Sequence, residues 1–274
     1  MKKQVTLFAG VALATLAVTQ TPILAAQMSD YKSTGTVTFQ PSKDTTNPVD
    51  PKNPDPDKPV KPTDPDGTDP QAPQAGSLSI DFASSIDFGI QKITSKTETY
   101  QDSAQQYTTF DGKKTTGPDY VQMTDNRGFF TGWTLSVKQN GQFKGQNSNA
   151  VLDGAEVTFG NANHLGMTTA STNATDITVL KSFTLDPLSG NAINIMSGAA
   201  VKNAGDTNET GGTHLMRFGD ATDIVSTEVN ADGSKRVDTD KAVTLMVPGK
   251  RDKMADKYAT EFEWILSDMP TIVK

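Results

Sequence analysis

From residue 77 onward, apolar side chains recur at alternate positions in short runs punctuated by Gly, Asn and Asp. Leu78, Ile80 and Phe82 make one run and Ile86, Phe88 and Ile90 the next. Ala155, Val157 and Phe159, then Ile177, Val179 and Phe183, then Val243, Leu245 and Val247 repeat the theme. A period of two puts the members of a run on one face of a β-strand. Asp111-Gly112, Asn140-Gly141, Asp153-Gly154 and Asp232-Gly233 supply the turn chemistry that joins antiparallel strands. Together they predict an all-β domain over residues 77–274, an antiparallel β-sandwich of immunoglobulin-like or related type. Residues 251–260 carry the one hint of a helix. The stretches 161–175 and 202–213 are polar and rich in Gly, Asn and Thr, which predicts long surface loops.

Three segments precede that domain. Lys2 and Lys3, an apolar run from Leu7 to Val18 and the small-residue exit Leu24-Ala25-Ala26 have the makeup of an export signal over residues 1–26. The run is too short for a lasting membrane span, so the mature protein is expected to leave the membrane. Residues 27–40 contain Thr36-Val37-Thr38-Phe39, which reads as a strand expected to dock on the main domain; an edge strand of another subunit is the other partner open to it. Residues 41–76 hold ten of the chain's 15 prolines, interleaved with Asp and Lys. Each proline removes a backbone donor, so the segment is expected to be an extended, solvated strap. Within it, Asp64-Pro65-Asp66-Gly67-Thr68-Asp69 superficially resembles a calcium loop, but the prolines and the missing terminal glutamate argue against a metal there.

Charge and composition then restrict the partners. Without Lys2 and Lys3, 23 basic side chains face 32 acidic ones. No basic stripe is present to displace phosphate counterions, so nucleic acid is not an expected partner. Cysteine is absent, and burial alone must hold the exported fold. Catalysis lacks a signature: no spacing singles out a carboxylate pair, His164 and His214 sit in no short-spaced metal motif, and no nucleophile elbow occurs. No catalytic residue, metal or cofactor is expected.

Both tryptophans lie in near-identical contexts, Gly132-Trp133-Thr134-Leu135-Ser136-Val137 and Glu263-Trp264-Ile265-Leu266-Ser267. Trp and Leu two positions apart share a strand face. One reading is that both faces are core, since a buried Trp removes about 200 Å² from water. The other is that one or both indoles stack on sugar rings; a tryptophan packed at its edge and open on its face satisfies both.

These paired strands, with Tyr120 to Gly128 ahead of the first and Val243 to Pro248 plus Tyr258 ahead of the second, resemble the WxL-domain family of Gram-positive surface proteins. The resemblance runs from about Val37 to the C-terminus. It implies non-covalent attachment to the cell wall with peptidoglycan as ligand, and association with other surface proteins of the same gene cluster. The alternative is an adhesin or structural partner that binds host or plant polysaccharide or another surface protein. The family's usual upstream effector region is missing, because nothing of domain size lies between Gln27 and Ser77.

No sortase-type motif follows Ser267, which predicts that the wall is held non-covalently. Walls rich in anionic polymers would repel this acidic chain at long range, so binding must be local. Trp133, Leu135, Trp264 and Leu266 are the first candidates to provide it. Asn126 and Arg127 form a second, with a planar guanidinium suited to carboxylates but equally able to pair with Asp125. Lys250, Arg251 and Lys253 form a third, a cationic spot that reads equally as a solvated turn.

Overall fold

The computed structural model describes residues 31–167, 176–203, 205–206, 208–226, 229–235 and 237–269; the export signal lies outside them. The chain divides into two compact units, Met1–Phe39 and Gln40–Lys274. In the first, residues 31–39 form no strand, and Val37 and Phe39 are 77% and 89% exposed. The strand expected at 36–39 is not among those formed.

The second unit contains no helix among the described residues. Its strands in chain order are β1 (Lys61–Thr63), β2 (Leu78–Ala83), β3 (Glu98–Ser103), β4 (Gln105–Thr108), β5 (Lys114–Gly117), β6 (Asp119–Asp125), β7 (Trp133–Gln139), β8 (Lys144–Gly145) and β9 (Glu156–Phe159). They continue with β10 (Ala162–Gly166), β11 (Ile177–Val179), β12 (Phe183–Thr184), β13 (Ile193–Gly198), β14 (Gly212–Phe218), β15 (Ile224–Val225), β16 (Thr239–Val247), β17 (Tyr258–Ala259) and β18 (Phe262–Ser267). Every pairing is antiparallel, in sheets ordered β1-β4-β5, β10-β14-β6-β2, β11-β13-β7-β18 and β12-β9-β16-β15, with β3 also on β16 and a short β17-β8 pair.

All-β and antiparallel hold as expected, but the four larger sheets form a propeller-like ring and do not resolve clearly into the two layers of a sandwich. The cause is local. Only Ala104 separates β3 from β4 and only Pro118 separates β5 from β6, yet each pair of neighbours belongs to different sheets. A chain that changes sheet at such corners keeps its sheets narrow. The hinted helix at 251–260 is also absent. Asp256 there accepts the backbone N–H groups of Asn147 and Ser148, and Tyr258 pairs with Gly145 in β17-β8. Of the two expected loops, 161–175 begins with β10 and 202–213 runs into β14.

Residues 41–76 also differ from a solvated strap. Pro48, Val49, Pro51, Val60 and Pro62 are buried, and β1 pairs with β4. The non-proline positions carry the docking bonds: Val49 N–H donates to Gln122 Oε1 at 2.9 Å, and Tyr107 Oη donates to Asp50 at 2.7 Å. Prolines thus remove donors where no partner waits, while the residues between them bind the domain.

One core joins three sheets: Trp133, Leu135 and Val137 from β7, Val157 and Phe159 from β9 with Val243 and Leu245 from β16, and Val121 and Met123 from β6. Trp133 is 0% exposed and its indole N–H donates to the Thr210 carbonyl at 2.9 Å. Gly198 on β13 makes room for it, since a Cβ there would lie 2.7 Å from Trp133 Cε2. Gly198→Ala should cost about 1–3 kcal/mol by overpacking, read as a lower urea midpoint. Gly35→Ala, with open space around it, should leave the midpoint unchanged.

Candidate functional site

The two tryptophan strands are direct neighbours. In the β7-β18 ladder Trp264 stands opposite Val137 and Leu266 opposite Leu135. β7 lies between β13 and β18, so Trp133, Leu135 and Val137 are covered on all sides and fully buried. β18 ends the sheet, so Phe262, Trp264 and Leu266 are only half-buried. Trp264 packs against the core through Phe159, 6.2 Å away at 81°, and Phe218, 6.2 Å away at 32°. Position in one ladder thus splits two similar motifs into a core tryptophan and a boundary tryptophan.

Trp264 lines a cleft of about 580 Å³ between residues 260–264, the β2 strand with residues 84–86, and residues 70–74. Its apolar wall includes Phe262, Ile80 and Ile86; its polar groups include Gln71, Gln74, Ser84 and Glu263. Residues 70–74 are fastened to β2 by Gln74 N–H donating to the Ile80 carbonyl. At the rim, Asn140 donates to Glu261 Oε1 at 2.8 Å and to Glu263 Oε2 at 3.2 Å, and Lys138 pairs with Glu263 at 3.0 Å. The Lys138 contact, then Asn140, holds the Glu263 carboxyl below its ordinary range. An aromatic face beside amides, hydroxyls and carboxylates can take a ligand with one apolar and one polar side.

A bulge between Ile80 and Phe82 turns β2 over, so that Leu78 and Ile80 face the main core while Phe82 joins Val49, Tyr120 and Leu215. Asp81 stays on the inner face it shares with Ser79, where Ser79, Gln122 and Thr124 donate to its carboxylate. Burial pushes the Asp81 carboxyl up to about 6 against those three bonds.

Of the cationic candidates, Arg127, Arg251 and Lys253 are tied up in structure. Arg127 clamps Asp125 through two bonds of 2.9 and 2.8 Å and reaches the Gly132 carbonyl at 2.8 Å, bracing the turn before β7. Asn126 closes the opposite end of β2 through its backbone, donating to the Ser77 carbonyl. Arg251 pairs with Asp153 at 2.6 Å, and Lys253 donates to the carbonyls of Thr94, Pro248 and Arg251; Lys250 is exposed. None of these five lines the Trp264 cleft.

The two histidines, 50 residues apart, meet across the β10-β14 pair with His164 Nε2 3.0 Å from His214 Nδ1, and His214 leans on the Trp133 ring at 5.2 Å. Burial holds His164 down to about 3, helped by the charge of His214 and then of Lys181. Burial likewise holds His214 down to about 4. Among the described residues no group of three or more His, Asp or Glu is placed to hold a metal ion. The role of residues 70–74, and the cleft they close, had no local signal; only the Trp264-Leu266 motif pointed toward it.

Comparison with known proteins bears on the same residues. A family model described as WxL domain, surface cell wall-binding, matches residues 26–270, nearly the whole chain. No curated protein and no solved structure matches. Among the described residues no helix is long and apolar enough to cross a membrane.

Two spectroscopic outcomes follow from this geometry. In Trp264→Phe the remaining Trp133 emission should be blue-shifted and resist acrylamide, whereas in Trp133→Phe, if folded, Trp264 should be quenched readily. By proton NMR neither histidine should titrate between pH 5 and 8. Their contribution to stability is present above pH 6.5 and lost as pH falls through about 4 and about 3.

Proposed function

Because the chain belongs to the WxL family of surface cell wall-binding domains, we propose that it is exported, stays at the Gram-positive surface, and grips peptidoglycan non-covalently and without catalysis in the Trp264 cleft. The half-buried Trp264 carries this reading: its ring is packed on Phe159 and Phe218 yet lines an open cleft with Gln71, Gln74, Ser84 and Ser85. A ring fixed from behind loses little freedom when a sugar stacks on it, so the contact is preorganised. Amide and hydroxyl groups supply donors and acceptors for the hydroxyls and acetamides of a glycan.

The non-catalytic part rests on the rim carboxylates. A glycosidase needs one carboxyl kept protonated near neutral pH. Glu263 is held in the opposite direction by Lys138 and shares Asn140 with Glu261, while Asp81, the raised carboxyl that also borders the cleft, is buried with both oxygens taken by Ser79, Gln122 and Thr124. The excess of 32 acidic over 25 basic side chains also favours short-range contacts, since bulk attraction to anionic wall polymers is unavailable. A second role, as partner of other surface proteins, is favoured by the exposed Val37 and Phe39 side chains of the N-terminal unit.

Sedimentation with purified sacculi, with and without teichoic acid, tests the proposal. Trp264→Ala should weaken binding at least about tenfold, the scale of one lost contact of roughly 1.4 kcal/mol, with circular dichroism unchanged. Trp133→Ala should instead cost about 3–5 kcal/mol of stability. Equal binding by wild type and folded Trp264→Ala, or release of soluble wall fragments, would sink it.

A further inference from the structure

Three fully buried aspartates meet at the corner where the chain passes between sheets. Asp102 is the last residue but one of β3, before Ser103 and the step into β4; Asp119 opens β6 just after β5; Asp240 lies on β16 directly opposite Asp102 in the β3-β16 ladder. All three are 0% exposed. Like charges directly opposite across a ladder repel, and a buried carboxylate without a partner is far costlier still. Two of the six oxygens are served well by backbone. Asp102 Oδ1 accepts from Asp87 N at 2.6 Å and Ser103 N at 2.7 Å, and Asp240 Oδ1 accepts from Ala242 N at 2.8 Å. Asp240 Oδ2 takes the Asp119 N–H at 3.2 Å. Asp102 Oδ2 and both oxygens of Asp119 have no hydrogen-bond partner.

No cation relieves them. Among the described residues none of the three forms an ion pair. The ionisable side chains acting on them are themselves aspartates: Asp102 and Asp119 on each other, Asp240 on both, and Asp220 and Asp223 on Asp240. Asp87 faces Asp102 from the segment after β2, Asp238 lies two residues before Asp240 and takes the hydroxyls of Thr116 and Ser226, and Ser84 is the hydroxyl facing Asp119. Asp102 Oδ2 and one oxygen of the adjacent Asp119 carboxyl are satisfied together by a single proton, with one carboxyl donating to the other.

We infer that Asp102 and Asp119 share one proton at neutral pH, forming a buried acid clasp that joins β3 to β6 at the corner of three sheets, tightened by acid and released by alkali. Burial, and then the neighbouring Asp charge, raises both carboxyls well above the ordinary value of 3.8. The clasp therefore contributes stability that is fully present below 3.8 and lost as pH rises through the folded-state value. Asp81 and Asp240, each pushed up to about 6 by burial, act in the same direction at lower pH, while the histidine pair acts oppositely below 6.5. Above pH 6.5, where the histidines no longer change the balance, a domain so built loosens as the pH rises.

Urea unfolding of the mature chain from pH 6.5 to 9 is the test, with Asp119→Asn as the isostere whose amide donates to Asp102 Oδ2 permanently. Wild type should lose stability with rising pH, its unfolding constant growing by up to about tenfold per pH unit for one proton, and Asp119→Asn should flatten that slope. Infrared spectra at pH 8 should show a protonated-carboxyl stretch in wild type that Asp119→Asn lacks; the wild-type band stands as a readout even if the variant does not fold. The clasp is overturned if the band is absent, if a folded Asp119→Asn keeps the wild-type slope, or if millimolar calcium raises the wild-type midpoint at pH 8, which would make the pair a cation site.

Discussion

Lateral pairing of β7 with β18 is the constraint on which most of the molecule depends. Trp133 needs a covered position, and it finds one because β13 and β18 flank β7 on either side and Gly198 leaves space for the indole. The same pairing places the last described strand at the sheet's edge, where no further strand pairs with it. Burial of about 200 Å² of indole in one case and partial burial in the other turn near-identical hexapeptides into an anchor of the core and a wall of a cleft. Remove the pairing and neither the core nor the cleft exists, since Trp264 also packs on Phe159 of β9 and Phe218 of β14.

A second feature is how many polar groups this cysteine-free fold takes inside. Asp81, Asp102, Asp119 and Asp240 are all buried, as are Gln122, Thr124 and His214. Most serve as local connectors. Gln122 reaches Val49 and Asn47 of the proline-rich segment and Asp81 of β2 at once, tying three pieces of chain together. Such groups stabilise only when their partners are present. The fold's dependence on exact polar pairing is the counterpart of its narrow sheets, which bury less apolar surface than wide layers do.

Wall binding by an acidic protein follows the same logic. Long-range attraction to an anionic polymer mesh is unavailable, so affinity has to come from surfaces a few ångströms deep. The Trp264 cleft provides apolar and polar groups together, and its carboxylates are already balanced by Lys138 and Asn140. The basic residues that look suited to anions, Arg127, Arg251 and Lys253, are occupied in holding turns.

By itself the sequence determined the all-β character, the antiparallel turns and the kinship of Trp133 and Trp264, because alternation and Asx-Gly dipeptides are local properties; Gly112 and Gly141 adopt φ of 82° and 86° in such turns. It also marked Arg127 as a partner of Asp125, a contact two residues long. What it misjudged was set at a distance. The sandwich gave way to a ring of sheets because chain corners at Ala104 and Pro118 reassign strands to new neighbours, and the solvated strap became a packed segment because Gln122 and Tyr107 wait for it. The β2 bulge moved Phe82 off the face of Leu78 and Ile80, and β10 and β14 brought together histidines that stood in apparent loops. Which tryptophan is core and which is open was decided only by edge position in the sheet, a property no stretch of chain carries, since both strands have the same alternation and differ solely in who lies beside them.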